Sequence, residues 1–218
     1  MPKITTIIFD MDGVLVDARE WHYEALNKAL ALFGVRISRH DHLSAFDGLP
    51  TRTKLEMLSK EHALPRGLHN IISELKQIFT MQMVNSYCRP TFAHELALSR
   101  LAAEGYKLGL ASNAVRESVH TMMRLTSLFD YFGLILSNED VKKPKPDPEI
   151  YIIAMDRLKV KPEDCLIVED NQNGIQAARA AGAHVLPVRN PSDVTLNRLH
   201  RAIEACQGKG GLLLEMAL

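Results

Sequence analysis

The chain has 218 residues, of which 46% are hydrophobic and 24% are charged, so its composition is that of a folded globular protein. Its 26 basic residues balance 26 acidic ones, which excludes a strong attraction to nucleic acid or to an anionic membrane through net charge. The sequence lacks a signal-like start, a membrane-spanning apolar run and paired cysteines, since Cys88, Cys165 and Cys206 are widely spaced. We therefore expect a cytoplasmic protein with free thiols.

Five short apolar segments predict the strands of a parallel sheet. They lie at residues 4–9, 106–112, 132–137, 164–170 and 183–188. Helical patterns separate them, at residues 92–103, 115–125, 148–158 and 174–181. Strands that alternate with single helices predict right-handed βαβ units, and hence an α/β fold built on a doubly wound parallel sheet.

A helical stretch interrupts this alternation between the first and second strands. Helical patterns without a convincing strand occur at residues 20–33, 38–46, 51–61 and 65–87. We expect a helical domain, residues 18–88, inserted into a core domain made of residues 1–17 and 89–218. The apolar tail that follows Gly208 is either a packed or frayed end or a binding segment for a partner.

Acids, a hydroxyl and lysines follow the predicted strands, at the sheet edge where parallel sheets bind ligands. They are Asp10, Asp12 and Gly13 after the first strand, Ser112 and Asn113 after the second, Lys142, Lys143 and Lys145 after the third, and Glu169 and Asp170 after the fourth. Crowded carboxylates recruit a cation, and Mg²⁺ prefers carboxylate and phosphate oxygens. Singly, each residue has an ordinary explanation as a cap or a solvated charge; together they predict a magnesium and phosphate site.

Four motifs in this order, FDMDGVLVDA, LASNA, KPKPDPEIY and VEDNQNGIQAARAAGA, resemble those of the haloacid dehalogenase (HAD) superfamily. The resemblance is to its β-phosphoglucomutase-like phosphatases, and it extends from residue 5 to about residue 188. It implies a Rossmann-like core with an α-helical cap that closes over the strand ends. It also implies hydrolysis of a small phosphomonoester, such as a sugar phosphate, through an aspartyl-phosphate intermediate.

The resemblance implies a role for each motif residue. Asp10 would be the nucleophile, and Asp12 would act first as general acid and then as general base. Ser112 would bind a phosphoryl oxygen, and Lys143, which stands directly before PKPD, would neutralise charge on the nucleophile and the phosphate. The Mg²⁺ ligands would be Asp10, the backbone carbonyl of Asp12, and Asp170, with Glu169 as a ligand or the partner of a ligand.

Five further residues are expected to contact the substrate. Gly13 and Asn113 belong to the first and second motifs, and His22, Gly48 and Arg52 lie in the inserted segment. His22 is equally explained as a partly buried helix histidine, whereas Arg52 is better explained as a solvated charge.

Three other residues have weaker assignments. Asp17 is either a helix N-cap or a site residue, whereas His40 and His42 are expected at the surface because neither has a partner at metal-ligand spacing.

Three functional alternatives follow. Mutases of this branch use a cap arginine and a later cap lysine, and an ungapped alignment places these on Thr51 and Phe79. That favours transfer of the phosphoryl group to water, with a phosphomutase as the alternative and a catalytically silent binding or regulatory protein as a third. The dehalogenase branch is disfavoured because this chain keeps Asp12.

The expected partner is a small phosphorylated metabolite, without nucleic acid or membrane, and the protein is expected to be a monomer or a homodimer.

Overall fold

The chain divides into two compact units, between Asp17 and Ala18 and again between Cys88 and Arg89. The computed structural model describes residues 3–46, 48–61 and 63–208, so the apolar tail discussed above lies outside the described residues. Residues 18–88 are called the helical unit here, and the remainder of the described chain is called the core unit.

The described residues of the helical unit form four α-helices. They are α1 (Arg19–Ala31), α2 (Arg39–Asp41), α3 (Thr51–Glu61) and α4 (His69–Tyr87), with a π-helical turn at His42–Phe46 and a 3₁₀ turn at Arg66–Leu68. Its apolar core includes Leu26 and Leu30 of α1, Leu55 of α3 and Ile72 of α4. These positions follow helical periodicity, which is why the sequence pattern locates the helices.

Helix α1 begins without a side-chain cap. Its N-cap residue is Ala18, which makes no side-chain capping hydrogen bond. The interpretation of Asp17 as a helix N-cap was therefore wrong, because the helix begins one residue too late for that carboxylate to occupy the cap position.

A five-stranded parallel sheet forms the centre of the core unit and confirms the predicted α/β class. Its strands are β1 (Thr6–Phe9), β2 (Lys107–Ala111), β3 (Leu134–Leu136), β4 (Cys165–Glu169) and β5 (His184–Pro187). Their order across the sheet is β3-β2-β1-β4-β5. Strand β1 pairs with β2 on one side and with β4 on the other, and all its residues are buried. A central strand covered on both faces accounts for its continuous apolar sequence.

Within the part of the core unit that the structure describes, five α-helices accompany the sheet. They are α5 (Phe92–Ala103), α6 (Arg116–Leu125), α7 (Glu149–Leu158), α8 (Gln172–Ala180) and α9 (Leu196–Gln207). Helix α9 is not among the predicted helices, although Leu199, Ala202, Ile203 and Cys206 are buried at helical spacing and Thr195 caps its first turn. Among the helices of the described ranges, none has the length and apolar character needed to cross a bilayer.

His42 lies inside the helical unit, which contradicts its expected place at the surface. It is 1% exposed, and its ring packs against that of Tyr23 with 5.1 Å between the ring centroids. Both ring nitrogens are buried, and neither has a hydrogen-bond partner among the described residues. Burial lowers the pKa of His42 to about 4, and nearby Lys54 and other basic groups act in the same direction. His42 is therefore neutral near pH 7.

We predict that the neutral state of His42 makes stability fall as the solution becomes acidic. In the unfolded chain His42 titrates near its ordinary pKa of 6.5, whereas in the folded chain it titrates near 4. The unfolded state therefore binds more protons between these two pH values. The contribution of His42 to the free energy of unfolding is complete above about pH 6.5 and is lost as the pH falls below that value. Between about pH 7.5 and about pH 5 the loss is about 2 kcal/mol.

Urea unfolding of the full chain at the two pH values measures this loss. His42→Phe keeps an aromatic ring against Tyr23 and should remove about 2 kcal/mol of the pH dependence, whereas exposed His40→Gln should retain it. An equal pH dependence in wild type and His42→Phe contradicts the prediction.

Candidate active site

The candidate site lies at the carboxyl edge of the three central strands. Asp10 directly follows β1, Ser112 directly follows β2, and Glu169 is the last residue of β4. Because these strands are adjacent and parallel, the three residues lie at the same edge of the sheet. The strand order also reverses at β1, and such a reversal opens a crevice where ligands of doubly wound sheets bind.

The ammonium group of Lys145 joins two of the acids. Lys145 Nζ donates to Asp10 Oδ1 at 2.7 Å, to Glu169 Oε1 at 2.6 Å and to the Ala111 carbonyl oxygen at 2.8 Å. The lysine side chain is only 4% exposed. All three donors of the ammonium are thus used, which fixes its position between β1, β2 and β4.

Lys143, which the sequence analysis placed in this role, points elsewhere. Its side chain is 75% exposed, and its Nζ lies 3.9 Å from the Asp147 carboxylate. The placement was wrong because the backbone N–H groups of Lys142 and Lys143 both donate to the carboxylate of Glu149, at 3.1 and 2.9 Å. These bonds fix the segment so that Lys145, two residues later, enters the site.

Asn113 secures that segment to the end of β2. Its Oδ1 accepts from the backbone N–H of Lys145 at 3.1 Å, and its Nδ2 donates to the Lys145 carbonyl at 3.4 Å. The contact of Asn113 with the substrate stays a prediction, and these bonds show that its side chain holds the segment that carries the lysine. The buried hydroxyl of the preceding Ser112 accepts from the Ala114 N–H at 3.0 Å, which fixes its oxygen at the strand end.

Glu169 accepts hydrogen bonds through both of its carboxylate oxygens. Its Oε1 accepts from Lys145 and, at 2.6 Å, from the hydroxyl of Tyr151. Its Oε2 accepts from the backbone N–H groups of Asp170 at 3.1 Å and Asn171 at 3.4 Å. Glu169 therefore connects the lysine to the start of the loop that carries Asp170.

Burial and crowding govern the charges of the site. Burial raises the pKa of Asp10 well above its usual value, Lys145 opposes this, and the carboxylates of Glu169, Asp170 and Asp12 raise it further. Burial would lower the pKa of Lys145, but the Asp10 and Glu169 carboxylates outweigh that effect and raise it. The lysine thus stays charged, and the excess of carboxylates favours a bound cation.

The donor set of the site fits a divalent metal ion. Asp10, Glu169 and Asp170 each offer a carboxylate oxygen, and these oxygens lie within 4.8 Å of one another. Carboxylate oxygens are the ligands that Mg²⁺ prefers. Gly13 adopts a φ of +81°, and a Cβ there would overlap the Asp170 carboxylate. A glycine after β1 thus allows the β1 loop to approach Asp170 closely.

The remaining predicted residues lie in the helical unit. His22 of α1 contacts Lys76 of α4, with 3.3 Å between Lys76 Nζ and His22 Nδ1. Gly48 has a φ of +71°, a left-handed backbone conformation that favours glycine, and Arg52 of α3 is exposed. The alignment placed a cap lysine on Phe79, but the structure shows that Lys76, one turn earlier, is the lysine beside His22.

The comparisons with known proteins agree with this geometry. Residues 7–188 match the model of the haloacid dehalogenase-like hydrolase family. A phosphorylated carbohydrates phosphatase of Thermotoga maritima is 31% identical over 180 residues, which are 81% of each chain. The β-phosphoglucomutase of Bacillus subtilis is 29% identical over 226 residues, covering 91% of this chain and 95% of that one.

A solved structure shows the same fold. The crystal structure of β-phosphoglucomutase from Clostridium difficile superposes with a TM-score of 0.79 at 22% sequence identity. The match covers 92% of this chain and 97% of that chain. At this level of identity the likeness establishes the fold alone.

We predict that Gly174→Ala destabilises the protein, although alanine normally stabilises a helix by about 0.5–1 kcal/mol relative to glycine. A Cβ at this position of α8 would overlap the carboxylate of Glu169, which its hydrogen bonds hold in place. We expect a loss of about 1–3 kcal/mol in urea unfolding.

Gly133→Ala is the matched control, because a Cβ there would meet only the Leu108 carbonyl oxygen, at 3.8 Å. This control should change stability by less than about 0.5 kcal/mol. A Gly174→Ala variant as stable as wild type would show that Glu169 moves freely.

Proposed function

We propose that this chain, which belongs to the haloacid dehalogenase-like hydrolase family and is a hydrolase of phosphate esters, is a Mg²⁺-dependent phosphatase of small phosphorylated metabolites. The observation that carries the proposal is the buried network in which Lys145 holds Asp10 beside Glu169 and Asp170. Phosphoryl transfer requires mainly positioning and charge stabilisation, and this network supplies both. A phosphorylated carbohydrate is the substrate class we favour, since the Thermotoga maritima relative is named for it.

Asp10 acts as the nucleophile in this proposal. Lys145 binds its Oδ1, so the carboxylate is oriented and its other oxygen attacks the phosphorus atom. The bond between phosphorus and the ester oxygen breaks, and Asp12 protonates the departing alcohol. A water molecule then attacks the aspartyl phosphate while Asp12 accepts its proton, which releases inorganic phosphate and restores Asp10.

A metal ion and the hydroxyl of Ser112 would bind the charged oxygens of the phosphate. Asp10 and Asp170 would hold Mg²⁺ with the Asp12 carbonyl, whereas Glu169 already accepts four hydrogen bonds and supports them. When bound, the ion would lower the pKa of Asp10 and neutralise phosphate charge. Ser112, buried at the end of β2, would donate its O–H to a phosphoryl oxygen. We place this reaction in the cytoplasm, where the buried thiols of the chain would remain reduced.

A phosphomutase is the second candidate function, and basic residues of the helical unit favour it. Lys76 contacts His22, and both lie close enough to buried His42 to lower its pKa, as does buried Lys54. A mutase needs such a group to hold the second phosphate of a bisphosphate intermediate. Release of inorganic phosphate without an isomeric sugar phosphate, followed by ³¹P NMR, excludes this candidate; accumulation of the isomer supports it.

We predict that Asp10→Asn lowers phosphatase activity by at least about 10³-fold, because an amide oxygen is a far weaker nucleophile. Phosphate release from p-nitrophenyl phosphate and from a panel of sugar phosphates measures the loss. EDTA should abolish wild-type activity, and excess Mg²⁺ should restore it.

Asp156→Asn is the control for this experiment, since Asp156 is exposed on α7, and it should keep wild-type activity. Circular dichroism verifies that both variants are folded. A folded Asp10→Asn variant with wild-type activity would disprove the nucleophile assignment.

We predict that Lys145→Met lowers kcat by at least about 10²-fold, because it removes the cation that orients Asp10. Lys143→Met deletes the same charge from an exposed side chain two residues away, and its kcat should change less than about twofold. A loss of kcat confined to Lys143→Met would mean that Lys143 is the lysine that orients Asp10. Equal losses in the two variants would contradict the assignment of this role to Lys145 alone. Lys145→Arg, which keeps the charge, serves where the methionine variant fails to fold.

A further inference from the structure

Tyr151 lies beneath the site and has no part in the reaction described above. This residue of α7 is fully buried, and its hydroxyl donates to Glu169 Oε1 at 2.6 Å. Its ring also faces the ammonium of Lys145, with 4.8 Å from Nζ to the ring centroid. Tyr151 thus contacts Glu169 and Lys145. Neither of these contacts is with Asp10 itself.

The hydroxyl and the ammonium meet at one oxygen atom. Glu169 Oε1 accepts from both Tyr151 and Lys145, at 2.6 Å in each case. A carboxylate oxygen that accepts two strong donors from different directions has one favourable orientation. Burial raises the pKa of Tyr151 well above its usual value, so the phenol stays protonated and remains a donor.

The ring contributes a second constraint. A cation above an aromatic face is attracted by the ring quadrupole, and the attraction increases when both groups are desolvated. Lys145 and Tyr151 are both buried, so this contact favours one position of Nζ. That position is the one from which Lys145 donates to Asp10 Oδ1.

We propose that Tyr151 is a positioning residue for the reaction, acting on Asp10 through Glu169 and Lys145. The inference rests on the proposed phosphatase function. The hydroxyl fixes Glu169, Glu169 fixes the lysine ammonium, and the ammonium fixes the nucleophile. Tyr151 contacts neither substrate nor metal in this scheme, so its loss slows the chemical step without weakening substrate binding.

Tyr151→Phe is the informative variant, because it removes only the hydroxyl and keeps the ring against Lys145. We expect kcat to fall by about 10-fold or more, with KM changed by less than about twofold. Tyr106→Phe is the matched control: it removes a phenol hydroxyl just before β2, at the opposite edge of the sheet, and should leave both constants unchanged. Thermal unfolding followed by circular dichroism gives the melting temperature of each variant.

A second measurement does not depend on catalysis. The ¹⁵N NMR signal of the Lys145 ammonium, assigned by its absence in Lys145→Arg, reports the hydrogen bonds of Nζ directly. Tyr151→Phe should shift this signal and accelerate its proton exchange with water, whereas Tyr106→Phe should leave it unchanged.

The outcomes separate the two proposals. A lower kcat with a changed lysine signal supports the positioning role. If wild type hydrolyses no phosphate ester, the proposed function fails, and a changed signal in Tyr151→Phe still supports the control of Lys145 by Tyr151. An unchanged kcat and signal in Tyr151→Phe, or a loss expressed only in KM or melting temperature, overturns the inference.

Discussion

One buried ammonium, held between two buried carboxylates, constrains how the strands of the core unit are arranged. Removing such charges from water costs several kcal/mol per ion, and the cost is offset only when geometry and additional hydrogen bonds are favourable. Lys145 meets this condition, since its three N–H groups bind Asp10, Glu169 and the Ala111 carbonyl. The strands β1, β2 and β4 must therefore lie next to one another for the charges to be tolerated.

The binding of a charged ligand explains this network of buried charges better than a contribution to folding stability does. Apolar residues of similar volume often replace a buried ion pair with no loss of stability, so such a network is weak evidence of a stabilising role. Here the acids outnumber the lysine, and burial with crowding raises the pKa of Asp10. A protein selected only for stability has no use for that excess of carboxylates, whereas a site that binds a cation and a phosphoryl group requires it.

The sequence predicts the elements of the fold better than the directions of side chains in its loops. Strand β1 was found because a strand buried on both faces is continuously apolar. The sequence alone could not distinguish Lys143 from Lys145, because bonds to nearby Glu149 and to Asn113, 32 residues earlier than Lys145, determine which lysine turns inward. His42 likewise depends on tertiary packing against Tyr23, whereas α9 was missed although its spacing and its cap are visible in the sequence.

The balanced net charge of the chain conceals two regions of opposite sign. The core site gathers carboxylates around Asp10, and the helical unit gathers basic side chains around His42, including buried Lys54. Keeping His42 neutral lessens the repulsion among those bases, because the ring then adds no positive charge beside Lys54 and Lys76. The carboxylates of the first region suit a cation, whereas the basic side chains of the second suit an anionic group. The net charge of the chain is therefore a poor guide to what either region binds, because the charge of each region is set locally by the side chains that it gathers.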